Sequence, residues 1–136
     1  MAFVLDCSVA IAWIFADETT EMALKLLESL AHDSAVVPQL WPLEVANVLL
    51  VATRRGRIRE QDWPQLIDAL DALPIEVDGQ THSRAWTMTL GIASRHGLSA
   101  YDAAYLELAS RRNLPLATLD TRLAEACRAM GVETVI

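Results

Sequence analysis

Ala2-Phe3-Val4-Leu5-Asp6-Cys7-Ser8-Val9-Ala10-Ile11-Ala12-Trp13-Ile14-Phe15 sets the pattern of the chain. The apolar, β-favouring run Ala2–Leu5 is too short for a helix, and Asp6 ends it. A buried first strand is expected there. Ser8 can cap a helix that begins at once and carries Val9 to Phe15.

The same alternation continues to the other end. Asp17 and Glu18 break the apolar run, and Thr19 or Thr20 can cap a second helix to about Leu30, with Met22, Ala23, Leu26, Leu27 and Leu30 on one face. Ala35-Val36-Val37 reads as a strand. Pro42 suits the first position of a third helix, through Glu44, Val45, Val48, Leu49 and Ala52 to Gly56. Glu60 to Leu73 reads as a fourth helix, ended by Pro74. A strand is expected at Ile75-Glu76-Val77, then a helix from about Thr81 to His96 that stops at Gly97. Another helix is expected up to Arg112, then a strand over Leu114 to Thr118. A last helix from Thr121 to Met130 and a closing strand over Val132 to Val135 complete the chain. Strands alternating with helices predict an α/β fold, a short-stranded, mainly parallel sheet with helices on both faces. No linker, repeat or low-complexity segment interrupts residues 1–136, so a single domain is expected.

The 136 residues are 53% hydrophobic, with a mean hydropathy of +0.26. That is enough for a full core with apolar surface left for a partner or a self-interface. No apolar run approaches the ~18 residues that span a bilayer. The start has no basic region and does not read as a secretion signal, so a cytoplasmic location is expected. Cys7 and Cys127 accordingly read as reduced, small apolar residues. The net charge is −7, from 18 acids against 11 bases, so a broadly basic nucleic-acid surface is excluded. Ten of the bases are Arg, the residue suited to bidentate phosphate contact. They crowd at Arg54-Arg55-Gly56-Arg57-Ile58-Arg59 and at Arg111-Arg112, where charge complementing helix C-termini is the favoured account, each cluster falling near an expected helix end.

Leu98-Ser99-Ala100-Tyr101-Asp102-Ala103-Ala104-Tyr105-Leu106-Glu107-Leu108-Ala109 reads as a helix entrance followed by a nearly apolar helix. Ser99 and Asp102 form a capping-box-like pair. Tyr101, Tyr105 and Leu108 are spaced as one stripe, predicting a buried helix. Asp102 alone would be a first-turn acid facing the helix dipole. Three further acids change its meaning. Asp6 ends the first strand, Glu44 lies in the first turn after Pro42, and Asp120 follows the strand ending at Thr118. Each has a local account: Asp6 bonding the Ser8 helix start, Glu44 as a dipole-favoured acid, Asp120 as an N-cap. Asp6, Glu44 and Asp120, just past strand ends or at the helix starts that follow them, point to the crevice beyond the strand ends of an open sheet, whereas Asp102 follows a helix and topology alone does not place it there.

Clustered carboxylates repel one another. A divalent cation removes that conflict, and all-oxygen ligands select a hard ion, Mg²⁺ or Mn²⁺. Metal-assisted phosphoryl transfer is the chemistry such a set supports. His32, His82 and His96 lack zinc-ligand spacing. No Ser-His-Asp arrangement, phosphate-binding loop or dinucleotide turn appears.

The residues resemble the PIN-domain ribonucleases, in particular the toxin half of VapBC-type toxin–antitoxin pairs, over essentially the whole chain. Val4-Leu5-Asp6-Cys7-Ser8-Val9 is similar to the first motif of that family and Pro42-Leu43-Glu44-Val45-Ala46-Asn47 to the second. Leu98-Ser99-Ala100-Tyr101-Asp102-Ala103-Ala104-Tyr105-Leu106 is the most specific match. Leu116-Ala117-Thr118-Leu119-Asp120, with Leu123, Ala126 and Gly131, resembles the last motif. Cys7 stands where family members often carry a small polar residue.

The resemblance implies Mg²⁺- or Mn²⁺-dependent endonucleolytic cleavage of RNA. It makes Asp6 and Asp102 the core metal ligands, Glu44 a ligand directly or through water, and Asp120 a ligand commonly acting through water. Ser8, Asn47 and Thr118 are candidate donors to these acids, with capping and turn chemistry as their equal alternative. A cognate antitoxin is implied, its apolar segment lying along grooves formed by the early helices. Trp13, Ile14, Phe15, Trp41, Leu49, Leu50 and Val51 fit that surface, although each alone would fit the core. A homodimer is implied as well. The competing functions are a PIN-domain nuclease of RNA processing or decay, and a PIN-fold binding module without catalysis.

Overall fold

In the computed structural model, which describes residues 1–135, five strands form one sheet. They are β1 (Ala2–Leu5), β2 (Ser34–Val37), β3 (Ile75–Val77), β4 (Leu116–Ala117) and β5 (Thr134–Val135). All four pairings are parallel, in the order β3-β2-β1-β4-β5. β1 is central, and its residues Phe3 to Leu5 are buried. A strand covered on both faces can be uniformly apolar, which explains a sequence without alternation.

The helices are α1 (Cys7–Ile14), α2 (Glu21–Ser29), α3 (Trp41–Arg54), α4 (Trp63–Asp71), α5 (Thr81–Arg84), α6 (Leu90–His96), α7 (Ala100–Arg112) and α8 (Thr121–Ala129). Local chemistry starts several of them. Thr20 accepts from the Ala23 amide at 3.1 Å and caps α2. Ser99 accepts from the Asp102 amide at 3.1 Å and caps α7. Gly97 closes α6 with a left-handed φ of 64°, which a Cβ would strain.

The differences from expectation have identifiable causes. Asp6, not Ser8, occupies the N-cap position of α1, with no side-chain cap bond. Ser8 instead donates its hydroxyl to Asp6 and accepts from the distant Leu119 amide. β4 and β5 are shorter than the runs Leu114–Thr118 and Val132–Val135. Pro115 has no amide to donate, and its carbonyl accepts from the Val4 amide at 2.8 Å. The expected fourth helix opens as a 3₁₀ turn, Glu60–Asp62, before α4. The helix expected from Thr81 to His96 is continuous but contains a π-turn, Ala85–Thr89, between α5 and α6. Trp86 on that turn is 91% exposed. Tyr101 is 69% exposed while Tyr105 is 0% exposed, so the predicted stripe of α7 rotates away from Tyr101. From Ala103 to Ala109, α7 is otherwise buried without a break.

Candidate functional site

The sheet order reverses at β1, which carries β2 on one side and β4 on the other. In open parallel sheets the crevice beyond the carboxyl ends at such a reversal is the binding position. Asp6 immediately follows β1, and Asp120 lies three residues past β4 at the N-cap of α8. Glu44 comes in the first turn of α3, the helix after β2. Asp102 comes in the first turn of α7.

Asp6 is 6% exposed. Its Oδ2 accepts from Ser8 Oγ at 2.6 Å and from Thr118 Oγ1 at 2.7 Å. The Leu119 amide donates to Ser8 Oγ at 2.9 Å, and the Asp120 amide donates to Thr118 Oγ1 at 3.0 Å. Each hydroxyl receives a backbone proton and is thereby set to give its own to Asp6. Both bonds fall on Oδ2, so Oδ1 is left without a side-chain donor among the described residues. The half-buried Glu44 accepts at Oε1 from the Tyr105 hydroxyl. Asp120 Oδ1 caps α8, accepting from the amides of Arg122 at 2.9 Å and Leu123 at 3.3 Å.

Burial pushes the carboxyls of Asp6, Glu44 and Asp102 above their usual range. The acids reinforce this on one another. Asp120 raises Asp6, Asp6 and Asp102 raise Glu44, and Asp6 and Asp120 raise Asp102. The four carboxyls are therefore one electrostatic cluster. Arg122, which donates to the Gly97 carbonyl at 2.7 Å, acts the other way on Asp102. Burial, then Glu44 and Asp6, pushes the Cys7 thiol up to about 12, so it is no thiolate nucleophile or soft ligand. Among the described residues, no three His, Cys, Asp or Glu side chains already converge closely enough to hold a metal ion. The donors are nonetheless carboxylate oxygens that raise one another's pKa, and that chemistry fits a hard divalent cation.

Asn47 lies one helical turn after Glu44 on α3. It is exposed and lines a groove of about 300 Å³ between α1 and α3, with Ile11, Phe15, Val48, Val51 and Arg57. A second apolar groove, about 340 Å³, lies between α3, α4 and β3. Neither includes any of the four acids. Phe15, Trp41 and Leu49 belong to the core, whereas Trp13, Ile14, Leu50 and Val51 are partly buried. The basic clusters are partly engaged. Arg57 pairs with Asp17 at 2.9 Å and Glu18 at 3.0 Å, and lies 4.1 Å over the Phe15 ring. No helix among the described residues is long and apolar enough to cross a membrane.

Two features escape the sequence reading. Tyr105 reads as a core residue, and nothing in its spacing announces a hydrogen bond to Glu44. Asp78 and Glu107 are buried at 6% and 4% exposure. The Glu107–Arg111 spacing of i, i+4 is a signal for their pairing, but it does not reveal that the pair is buried.

A family model described as PIN domain matches residues 3–129. Ribonuclease VapC3 of Pyrobaculum aerophilum is 31% identical over 125 residues, covering 92% of this chain and 94% of the relative. The crystal structure of PAE2754 from Pyrobaculum aerophilum has a TM-score of 0.71 at 22% identity, covering 99% of this chain and 84% of that one. VapBC2 from Rickettsia felis, solved bound to a DNA fragment from their promoter, contains a chain with a TM-score of 0.65 at 16% identity, covering 92% of each. These two structures share the fold.

Proposed function

The chain belongs to the PIN-domain family, and from that premise we propose that it is the toxin of a type II toxin–antitoxin pair. The activity is endonucleolytic cleavage of RNA, dependent on Mg²⁺ or Mn²⁺. The observation that carries this reading is the coupling of Asp6, Glu44, Asp102 and Asp120 at the sheet's reversal point. Kinship with a relative named ribonuclease VapC supports it.

Asp6 and Asp102 are the principal ligands in this proposal, with Glu44 beside them and Asp120 acting through water. Ser8 and Thr118 hold Asp6 by one oxygen and leave the other for the ion. When bound, the cation would polarise the scissile phosphodiester and lower the pKa of a water. The residues' task is to fix carboxylate geometry, and the hydrogen bonds from Ser8, Thr118 and Tyr105 favour the ionised acids against burial and mutual repulsion. Arg122, whose charge favours the ionised Asp102, is the base this proposal assigns to a substrate phosphate.

The groove between α1 and α3 suits an apolar segment of a cognate antitoxin. Leu43, Trp86, Leu90 and Tyr101 are large and exposed, which supports a homodimer or a further protein contact. A single PIN domain over residues 1–136, working in the cytoplasm without a membrane, completes the proposal.

The test uses protein stripped with EDTA and assayed on RNA. Added Mn²⁺ or Mg²⁺ should restore cleavage, and a folded Asp102→Asn variant should stay inactive. Induction in cells should arrest growth, and co-expression of a small neighbouring DNA-binding protein should relieve it. Cleavage indifferent to EDTA or to Asp102→Asn would overturn the metal-site assignment. Cleavage without growth arrest would leave a nuclease of RNA processing or decay.

A further inference from the structure

Tyr105 is the largest of the fully buried side chains, at 0% exposure. Its neighbours on α7, from Ala103 to Leu106 and on to Ala109, are buried and apolar apart from Glu107. A Phe or Leu would fill this volume without bringing a polar atom inside. A buried hydroxyl is unfavourable unless it is partnered. The Tyr105 hydroxyl has one partner among the described residues, Glu44 Oε1, 61 positions away on α3. Glu44 in turn accepts no other side-chain or backbone hydrogen bond there.

We propose that Tyr105 is a positioning residue for Glu44, and the inference rests on reading Glu44 as an acid of the cation site. The hydroxyl anchors Oε1 and selects one rotamer of a long, flexible side chain. Oε2 remains for the ion, and the charges of Asp6 and Asp102 act on the same carboxyl. The device parallels the one at Asp6, where Ser8 and Thr118 take Oδ2 and leave Oδ1. Tyr105 lies one helical turn after Asp102, so α7 contributes one acid itself and holds a second from α3. A small divalent ion with strict geometry requires ligands arranged before it arrives.

The test is a calorimetric Mn²⁺ titration of wild type, Tyr105→Phe, Glu44→Gln and the double variant, with melting in EDTA to confirm folding. Tyr105→Phe removes one oxygen and should weaken Mn²⁺ binding by about tenfold or more. In the Glu44→Gln background the same change should produce no further loss, because Tyr105 acts through Glu44. Glu44→Asp, which withdraws the carboxyl from Tyr105 and leaves Tyr105 in place, should weaken Mn²⁺ binding at least as much as Tyr105→Phe, and this arm serves if the Phe variant folds poorly, with unchanged affinity there overturning the proposal too. Unchanged affinity in Tyr105→Phe, or equal losses in both backgrounds, would overturn the proposal. A wild type that binds no Mn²⁺ would overturn the cation reading of the acids, and this inference with it.

Discussion

Thr118 Oγ1 donates to Asp6 Oδ2 at 2.7 Å and joins the carboxyl ends of β4 and β1. The register explains the contact. Leu5 pairs with Ala117, and the Asp6 amide donates to the Ala117 carbonyl at 3.0 Å. Thr118 thus extends a short parallel pairing by one rung, made through a side chain. Thr118→Val keeps the shape but removes a donor from Asp6 and an acceptor from the Asp120 amide. A buried loss of this kind costs about 1–3 kcal/mol. The Asp6 carboxyl, which this bond holds down, should rise, so the acidic limb of the cleavage profile should move to higher pH. Thermal melts and a pH–rate profile read the two effects, and an unchanged profile would mean that Thr118 does not act through Asp6.

Asp102→Asn should abolish cleavage yet make the metal-free protein melt higher, by a few degrees. Asp102 is held above its ordinary range by burial and by Asp6 and Asp120. Its ionised form therefore opposes folding, and the amide does not. Adding Mn²⁺ should raise the melting temperature of wild type by mass action and leave the variant nearly unmoved. Scanning calorimetry with EDTA and with Mn²⁺ separates these cases. A variant that melts lower in EDTA would contradict the repulsion on which the site is argued.

The same carboxyls set a pH dependence. Asp6, Glu44 and Asp102 have folded-state pKa values above their unfolded ones. Between the two values the native state binds more protons, so stability falls as pH rises. In EDTA, wild type should therefore gain stability as pH falls from 8 toward the raised carboxylate range. Asp78 has the opposite sign. The Arg111 hydrogen bond holds its carboxyl below the ordinary value, so its contribution is lost only as pH falls through that lowered value. With Mn²⁺ present the trend should reverse near neutrality, since the ion needs deprotonated ligands. Urea melts across the pH series, with and without Mn²⁺, measure both slopes.

The alternation of strand and helix was legible because its signals are local. Thr20, Ser99 and Asp120 each make the cap bond that their residue type suggests. The apolar run of β1 needed no partner to be recognised. Ser8 is legible in part: its hydroxyl donates to nearby Asp6, one of the two roles its place suggests, but the Leu119 amide and Thr118 that complete the arrangement lie more than 100 residues away. The strand order was not readable, so nothing local brought Asp102, which follows a helix, beside Asp6. Family resemblance supplied that link, and the coupling of the two carboxyls is its structural counterpart. Asn47 follows Glu44 by one helical turn on α3 and also lines the α1–α3 groove, and the sequence does not separate these two roles. The buried charges of Asp78 and Glu107 were illegible because helix and loop acids are ordinarily solvated.

Arg111 tests those buried charges. Its Nη2 lies 2.7 Å from Asp78 Oδ2, and its Nε lies 3.0 Å from Glu107 Oε2. One guanidinium thus joins α7 to the residue after β3, and Arg112 adds a bond to Glu76 at 2.7 Å. Arg111→Met would leave two buried carboxylates with reduced compensation, at a cost of about 3–5 kcal/mol. The triple change Arg111→Met, Asp78→Asn and Glu107→Gln should recover much of that loss, because the deficit comes from stranded charge rather than missing contact. The Arg111→Met deficit should also shrink on acidification, as Asp78 takes up a proton more readily without its cation. Urea denaturation at two pH values measures all three outcomes. An Arg111→Met protein as stable as wild type would show that water, not Arg111, compensates these acids.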